Sequence, residues 1–170
     1  NRMMESMRDI GYDLPTSVAD LVDNSIEAGA TEVYIDLIFN EDKSCIRIYD
    51  NGLGMSNQQI DEALRYGSRR DYSSNDLGKF GLGLKTASLS HCRKLSVASR
   101  QKGSKEISII MWDMDHIERE DVWEALKLSA DEANPLLSEK LYNNTGTVVL
   151  WEDLDRVSTG SADRESFIAS

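Results

Sequence analysis

Asp20, Asn24 and Glu27 are spaced by four and three residues. On a helix that spacing puts them on one face, with Asp23 about a sixth of a turn away. A carboxylate and an amide oxygen one turn apart suit Mg²⁺, which takes oxygen ligands and keeps waters while it contacts phosphates. The alternative is a solvated polar face. A second cluster is Asp50-Asn51-Gly52-Leu53-Gly54-Met55. Its carboxylate can accept a hydrogen bond from an exocyclic amine such as that of adenine, beside glycine backbone that a ligand can approach closely. An ordinary Asp-Asn-Gly turn is the competing reading.

A third cluster is Gly78-Lys79-Phe80-Gly81-Leu82-Gly83-Leu84-Lys85-Thr86. Glycines ahead of a helix start form an anion site, because free N–H groups and the helix dipole point at the ligand. Lys79 and Lys85 add positive charge. The order is G-x-x-G-x-G, so it is neither a Walker loop, which needs Lys directly after the glycine where Leu84 stands, nor G-x-G-x-x-G. Glycines kept for tight helix packing would give the same letters. Thr145-Gly146-Thr147 is weaker: small polar residues lining a pocket wall, or the turn that opens a strand.

These residues need elements to hold them. Pro15 fits the first turn of a helix, Val18, Leu21, Val22, Ile26 and Ala28 recur at helical spacing, and Gly29 stops the run. Period-two alternation over 33–39 predicts a strand, paired as an antiparallel hairpin with a second through Cys45, Ile46, Ile48 and Tyr49. Ser56 and Gln59 form a capping box for a helix over about 57–66. Residues 67–80 are polar and glycine-flanked, a long loop of the kind that is usually functional, and 81–90 are helical in pattern. Strands follow at roughly 94–101 and 105–112. The acidic stretch 115–142 has helical patterning interrupted at Pro135, and a last strand runs over 147–151. Five strands and five helices give an α+β layer pair, with a polar tail after Asp155.

The 170 residues suit one domain. The net charge of −11 argues against a surface that holds a nucleic-acid backbone, which needs clustered Lys and Arg. A nucleic-acid role is expected only through domains outside this chain. Locally the balance reverses: Arg65, Arg69, Arg70, Lys79 and Lys85 stand against Asp71 and Asp76, while acid gathers in 113–139. Cys45 and Cys92 are too few for a disulfide scaffold. A single bridge is one reading, and buried free thiols, favoured by their apolar settings, are the other. With no apolar run near ~18 residues and no secretion signal, no membrane is expected, and a reducing cytoplasm is the default.

The order of the motifs resembles the GHKL ATPase superfamily, the group of gyrase B subunits, ninety-kilodalton heat-shock chaperones, histidine kinases and MutL. That order is a polar helix, a strand-end Asp-x-Gly-x-Gly, a long loop, a glycine-rich helix start and a late Thr-Gly-Thr strand. The resemblance spans about residues 14–152. Asp-Leu-Val-Asp-Asn-Ser and Gly-Lys-Phe-Gly-Leu-Gly-Leu-Lys are most similar to the microrchidia-like and related bacterial branch. It implies a Bergerat-type two-layer α/β sandwich with a mixed, mostly antiparallel sheet and helices on one face. It further implies ATP and Mg²⁺ as ligands, and a lid at 67–80.

Residue by residue, Asn24 matches the magnesium-ligating asparagine and Asp50 the aspartate that bonds the adenine amine. Gly52, Gly54 and Met55 would line the base pocket, and Thr147 would support the aspartate and the adenine, usually through water. Gly81, Leu82 and Gly83 would wrap the phosphates, flanked by Phe80 and Leu84, with Lys79, Lys85 and Thr86 as side-chain contacts. Glu27 would lie toward the sugar. One departure stands out. The hydrolysing members usually carry Glu four residues before the asparagine as general base, and this chain has Asp20, one methylene shorter. Slow hydrolysis is therefore expected, with a non-hydrolysing nucleotide sensor or a histidine-kinase ATP domain as alternatives. The resemblance also implies ATP-gated self-association of the full-length protein, and a transducer domain with a phosphate-contacting lysine outside this chain.

Overall fold

A computed structural model describes residues 13–39, 43–64, 84–122 and 124–155. Its first element, α1 (Leu14–Glu27), starts because Asp13 accepts the Thr16 N–H at 2.8 Å and Pro15 occupies the first turn. It stops where Gly29 takes φ 73°. The buried stripe is Ser17, Leu21 and Ser25, a strict four-residue repeat. Of the expected stripe Val18, Leu21, Val22, Ile26 and Ala28, Leu21 lies in the core and Val18 packs against it, whereas Ile26 is 60% exposed. The buried face is turned from the apolar one because Ser17 and Ser25 take core positions, each hydrogen-bonded to a partner outside the helix.

The sheet has six strands in the order β1-β2-β6-β3-β4-β5. These are β1 (Val33–Ile38), β2 (Cys45–Asp50), β3 (Cys92–Arg100), β4 (Ser108–Asp113), β5 (Leu126–Leu128) and β6 (Gly146–Leu154). All five pairings are antiparallel, so the expected α+β architecture holds and its sheet is antiparallel throughout the described residues. The β1–β2 hairpin is as expected, with Tyr34 stacked on Tyr49 at 4.7 Å. The capping box is formed as well: Gln59 accepts the Ser56 N–H at 2.9 Å and Ser56 Oγ the Gln59 N–H at 3.3 Å. It opens α2 (Asn57–Leu64). Residues 84–89 are helical (α3).

Two expectations are corrected. Residues 105–107 are not strand, because Ser104 Oγ takes the Glu106 N–H at 3.0 Å and holds a turn. The acidic stretch 115–142 is not simply helical. It holds α4 (Met114–Glu120), which ends at Asp121 in the left-handed region, then β5, then the single turn α5 (Pro135–Ser138). A three-residue strand is too short to leave a period in sequence.

The antiparallel register builds the sheet's helix-facing side in rows. Ile46, Trp151, Leu95 and Trp112 lie side by side across β2, β6, β3 and β4, and Ile48, Val149, Val97 and Ile110 form the next row. Both rows belong to the main core with Leu21, Ile60 and Leu64. The following row changes character, with Thr147 beside Ser99 and Ser99 beside Ser108, and Asp50 at the β2 end. The core therefore gives way to a polar shelf at one end of the sheet. The opposite face is also covered: Ala133, Leu137 and Leu141 pack on Ala98, Val148 and Leu150. Helices on one face alone is thus too narrow a description, and the acidic insertion is what closes the second face.

Candidate functional site

The polar shelf brings Asp50, Gly52 and Thr147 of the predicted site together. Asp50 ends β2 with 7% of its surface exposed. Its Oδ1 accepts the Gly52 N–H at 2.9 Å and the Thr147 N–H at 3.3 Å, while Ser25 Oγ donates to Oδ2 at 3.0 Å. Burial raises the carboxyl from its ordinary value, and the hydrogen bonds from Gly52, Ser25 and Thr147 pull against it. The result is a sheltered acceptor with one oxygen carrying two donors and the other carrying one.

The backbone around Asp50 is clamped from every side. Asn51 Oδ1 accepts from Thr31 and Glu32 N–H groups at 2.9 and 3.0 Å. The Leu53 N–H reaches Ala28 O at 3.0 Å and the Lys102 N–H reaches Leu53 O at 2.8 Å. Thr145 Oγ1 donates to Gly52 O at 3.1 Å. At Gly54, with φ 66°, a Cβ would stand 2.0 Å from Arg100 O, so only glycine lets this loop lie against the end of β3. Met55 packs on the core edge and its N–H donates to Ser99 Oγ at 2.8 Å.

On α1, Asn24 lies about 60° around the helix from the centre of the buried stripe and Asp20 about 100°. Both are half-buried, and Glu27 and Asp23 are exposed. Asn24 thus borders the shelf one residue from the Ser25–Asp50 hydrogen bond, while Glu27 turns toward solvent. Asn24 offers an oxygen of the type Mg²⁺ takes beside substrate phosphates. No cluster of three or more His, Cys, Asp or Glu suited to a metal occurs among the described residues.

From the glycine-rich motif, Lys79, Phe80, Gly81, Leu82 and Gly83 lie outside the described residues, as do lid residues 67–80. Leu84 joins the core, and Thr86 is buried with its carbonyl accepting Ser90 Oγ at 2.7 Å. Lys85 is 2% exposed, with Nζ 5.6 Å from the centroid of the Trp112 ring. Burial lowers its pKa from 10.5 to about 8. Between about 8 and 10.5 the unfolded chain holds the proton and the folded chain does not, so stability rises with pH across that window. Each unit is worth about 1.36 kcal/mol, giving a total up to about 3 kcal/mol. Urea unfolding from pH 7 to 10.5 should therefore show a rise in wild type that is absent in Lys85→Met. Parallel curves would refute the assignment.

Sequence reasoning missed the serines. Ser25 carries the link to Asp50, and Ser17 Oγ sits 2.8 Å from His91 Nε2 at the other end of the stripe. Ser99, fully buried, joins Met55, Gly146 and Thr147 through one hydroxyl. The only available signal was a serine wherever a buried period called for an apolar residue. Cys45 and Cys92 are buried free thiols. Among the described residues, no helix is long and apolar enough to cross a membrane.

Residues 12–147 match the family described as histidine kinase-, DNA gyrase B- and HSP90-like ATPase. The chain is 28% identical over 88 residues to the ATPase morc-1 of Caenorhabditis elegans, covering 52% of this chain and 10% of that protein. It is 38% identical over 98 residues to the DNA mismatch repair protein MutL of Pasteurella multocida, covering 54% and 16%. It thus spans only a small part of the length of the curated relatives it matches. The crystal structure of an N-terminal domain of a DNA repair protein superposes with a TM-score of 0.53 at 24% identity, over 91% of this chain and 39% of that one. That likeness concerns the fold.

Proposed function

We propose, from the premise that this chain belongs to the histidine kinase-, DNA gyrase B- and HSP90-like ATPase family, that it binds ATP with Mg²⁺ and hydrolyses it slowly as the nucleotide-driven switch of a larger protein. The observation that carries this reading is the Asp50 carboxylate. It is sheltered from water, kept as an acceptor by Gly52, Ser25 and Thr147, and placed at the glycine-bearing end of β2. An exocyclic amine is the ligand group such an acceptor selects.

In this reading Asp50 orients the base, and Gly52, Gly54 and Met55 form its walls. Glu27 lies toward the sugar. Asn24 holds Mg²⁺, which when bound neutralises phosphate charge. Gly81, Leu82 and Gly83 supply backbone N–H groups to the phosphates, Phe80 and Leu84 flank them, and Lys79, Lys85 and Thr86 contribute side-chain contacts. Asp20 orients water toward the γ-phosphorus and takes its proton as the bond to the ADP oxygen breaks. Its shorter side chain makes the step slow, since ångström-scale misplacement costs ~100-fold. Closure of a lid at 67–80 and ATP-gated self-association of the whole protein, in a cytoplasmic setting, belong to the same proposal. Any nucleic-acid contact lies in other domains.

The test is calorimetric titration of the chain with ATP in Mg²⁺ and in EDTA, followed by phosphate release from wild-type and Asp20→Asn protein. Binding should weaken at least tenfold in EDTA, and release should drop at least tenfold in the variant. No heat of binding with Mg²⁺ present would sink the proposal. Binding with unchanged release in Asp20→Asn would remove Asp20 alone.

A further inference from the structure

We infer that Ser99 is a specificity-determining positioning residue, which fixes the Thr147 hydroxyl as an acceptor toward the base and so makes the shelf reject a base that carries an oxo group where adenine carries its amine. The inference rests on the nucleotide reading above and goes beyond it, because Ser99 belongs to none of the motifs.

A hydroxyl has one hydrogen and two lone pairs. Ser99 Oγ makes three hydrogen bonds. The Met55 N–H at 2.8 Å can only donate to it. The Gly146 carbonyl at 3.0 Å can only accept from it, which uses the Ser99 proton. The third partner, Thr147 Oγ1 at 2.9 Å, must then be the donor. The Thr147 proton is committed to Ser99, so only lone pairs of Thr147 Oγ1 remain for a ligand. Thr147 Oγ1 has no other hydrogen-bond partner among the described residues.

Geometry holds this arrangement in place. Ser99 is fully buried, Gly146 is buried, and Ser99 pairs with Thr147 in the β3–β6 register. Thr147 itself is half-exposed on the shelf face, and its own N–H is spent on Asp50 Oδ1. At this edge Asp50 Oδ2, held by Ser25, and Thr147 Oγ1 are both acceptors. An amine satisfies them. An oxo group meets two lone-pair donors and no proton, and leaving buried acceptors facing another acceptor is what makes hydrogen-bonding sites discriminate strongly. Without Ser99 the Thr147 hydroxyl would be free to rotate and donate to the oxo group.

The experiment compares ATP with inosine triphosphate, which differs at that position, by calorimetry on the full chain with Mg²⁺. Wild type should favour ATP by at least about 100-fold. Ser99→Ala should narrow the ratio by about tenfold, chiefly through tighter inosine triphosphate binding. Thr147→Val keeps the shape and removes the acceptor, so it should weaken ATP by about tenfold, tighten inosine triphosphate by removing one of the two opposed acceptors, and decide the matter if Ser99→Ala does not fold. A merely structural serine would weaken both nucleotides together. Equal shifts in both, or an unchanged ATP affinity in Thr147→Val, overturn the inference while ATP binding stands. If wild type binds neither nucleotide, the nucleotide reading fails and this inference falls with it.

Discussion

Asp50→Asn should weaken ATP binding by at least about 100-fold while leaving the chain folded. The substitution keeps the shape of the side chain and replaces one oxygen with NH₂. If the amide oxygen takes the place of Oδ1, it still accepts from Gly52 and Thr147. The NH₂ then stands where Oδ2 accepts from Ser25, and it presents protons to the amine the site is proposed to bind. Turning the amide round moves the conflict to two backbone N–H groups. In the first orientation the Ser25 hydroxyl donates to Leu21 O and accepts from the NH₂, so the conflict is with the ligand amine; in the second it is with the two backbone N–H groups, and an unmet buried group costs ~1–3 kcal/mol before the lost ligand bond is counted. The variant also removes a titrating group. Burial raises the Asp50 carboxyl, so wild-type affinity should fall as pH drops toward the upper end of the carboxylate range, because the protonated acid no longer accepts on both oxygens. The residual binding of Asp50→Asn should not follow that curve. Calorimetry between pH 4.5 and 7.5 checks both statements, and an unchanged affinity at neutral pH would remove Asp50 from the site.

What was legible in sequence is what repeats or punctuates. The Ser56–Gln59 capping box, the Pro15 start, the Gly29 stop and the hairpin through β1 and β2 were read from local chemistry and stand in the structure. Asp50 was singled out because an acid at a strand end followed by two glycines sets an acceptor beside backbone that a ligand can approach, and the structure surrounds it with donors. The failures have a common origin. Ser17 and Ser25 occupy core positions of α1 by making hydrogen bonds to His91 and Asp50, partners 74 and 25 residues away. No local pattern encodes them. Ser99 reads as one more small residue in a strand until the register sets it beside Thr147. β5 escaped because it owes its form to pairing with β4 rather than to its own three residues. A polar shelf at the end of an apolar sheet is a property of rows across strands, and rows become visible only when the strand order β2-β6-β3-β4 is known.

Gly146→Ala should be strongly disruptive, as Gly54→Ala should be, where an added Cβ would meet Arg100 O at 2.0 Å. At Gly146 the backbone has φ 133°, where side chains of L-residues are strained, and an added Cβ would stand 1.9 Å from Asp50 O and 2.8 Å from Asp50 C. Both atoms are backbone, so no rotamer change relieves the contact. Either β6 moves away from the end of β2 or the Asp50 peptide turns. Strain in such a conformation costs ~1–3 kcal/mol, and forced displacement of packed strands adds a similar ~1–3 kcal/mol. A loss of about 3–5 kcal/mol in urea unfolding is expected. Gly103 separates the two contributions. It has φ 86° but nothing within 4 Å of an added Cβ, so Gly103→Ala carries strain without collision and should cost about 1–2 kcal/mol. The same geometry links stability to the site. Gly146 O is the acceptor that takes the Ser99 proton, and the neighbouring Thr147 N–H is one of the three donors on Asp50. Moving β6 loosens both at once, so nucleotide affinity should fall in whatever fraction of Gly146→Ala remains folded, and stay at the wild-type value in Gly103→Ala. Equal stability losses in the two variants would mean that conformational strain alone sets the cost, and that the close approach of β6 to Asp50 contributes nothing.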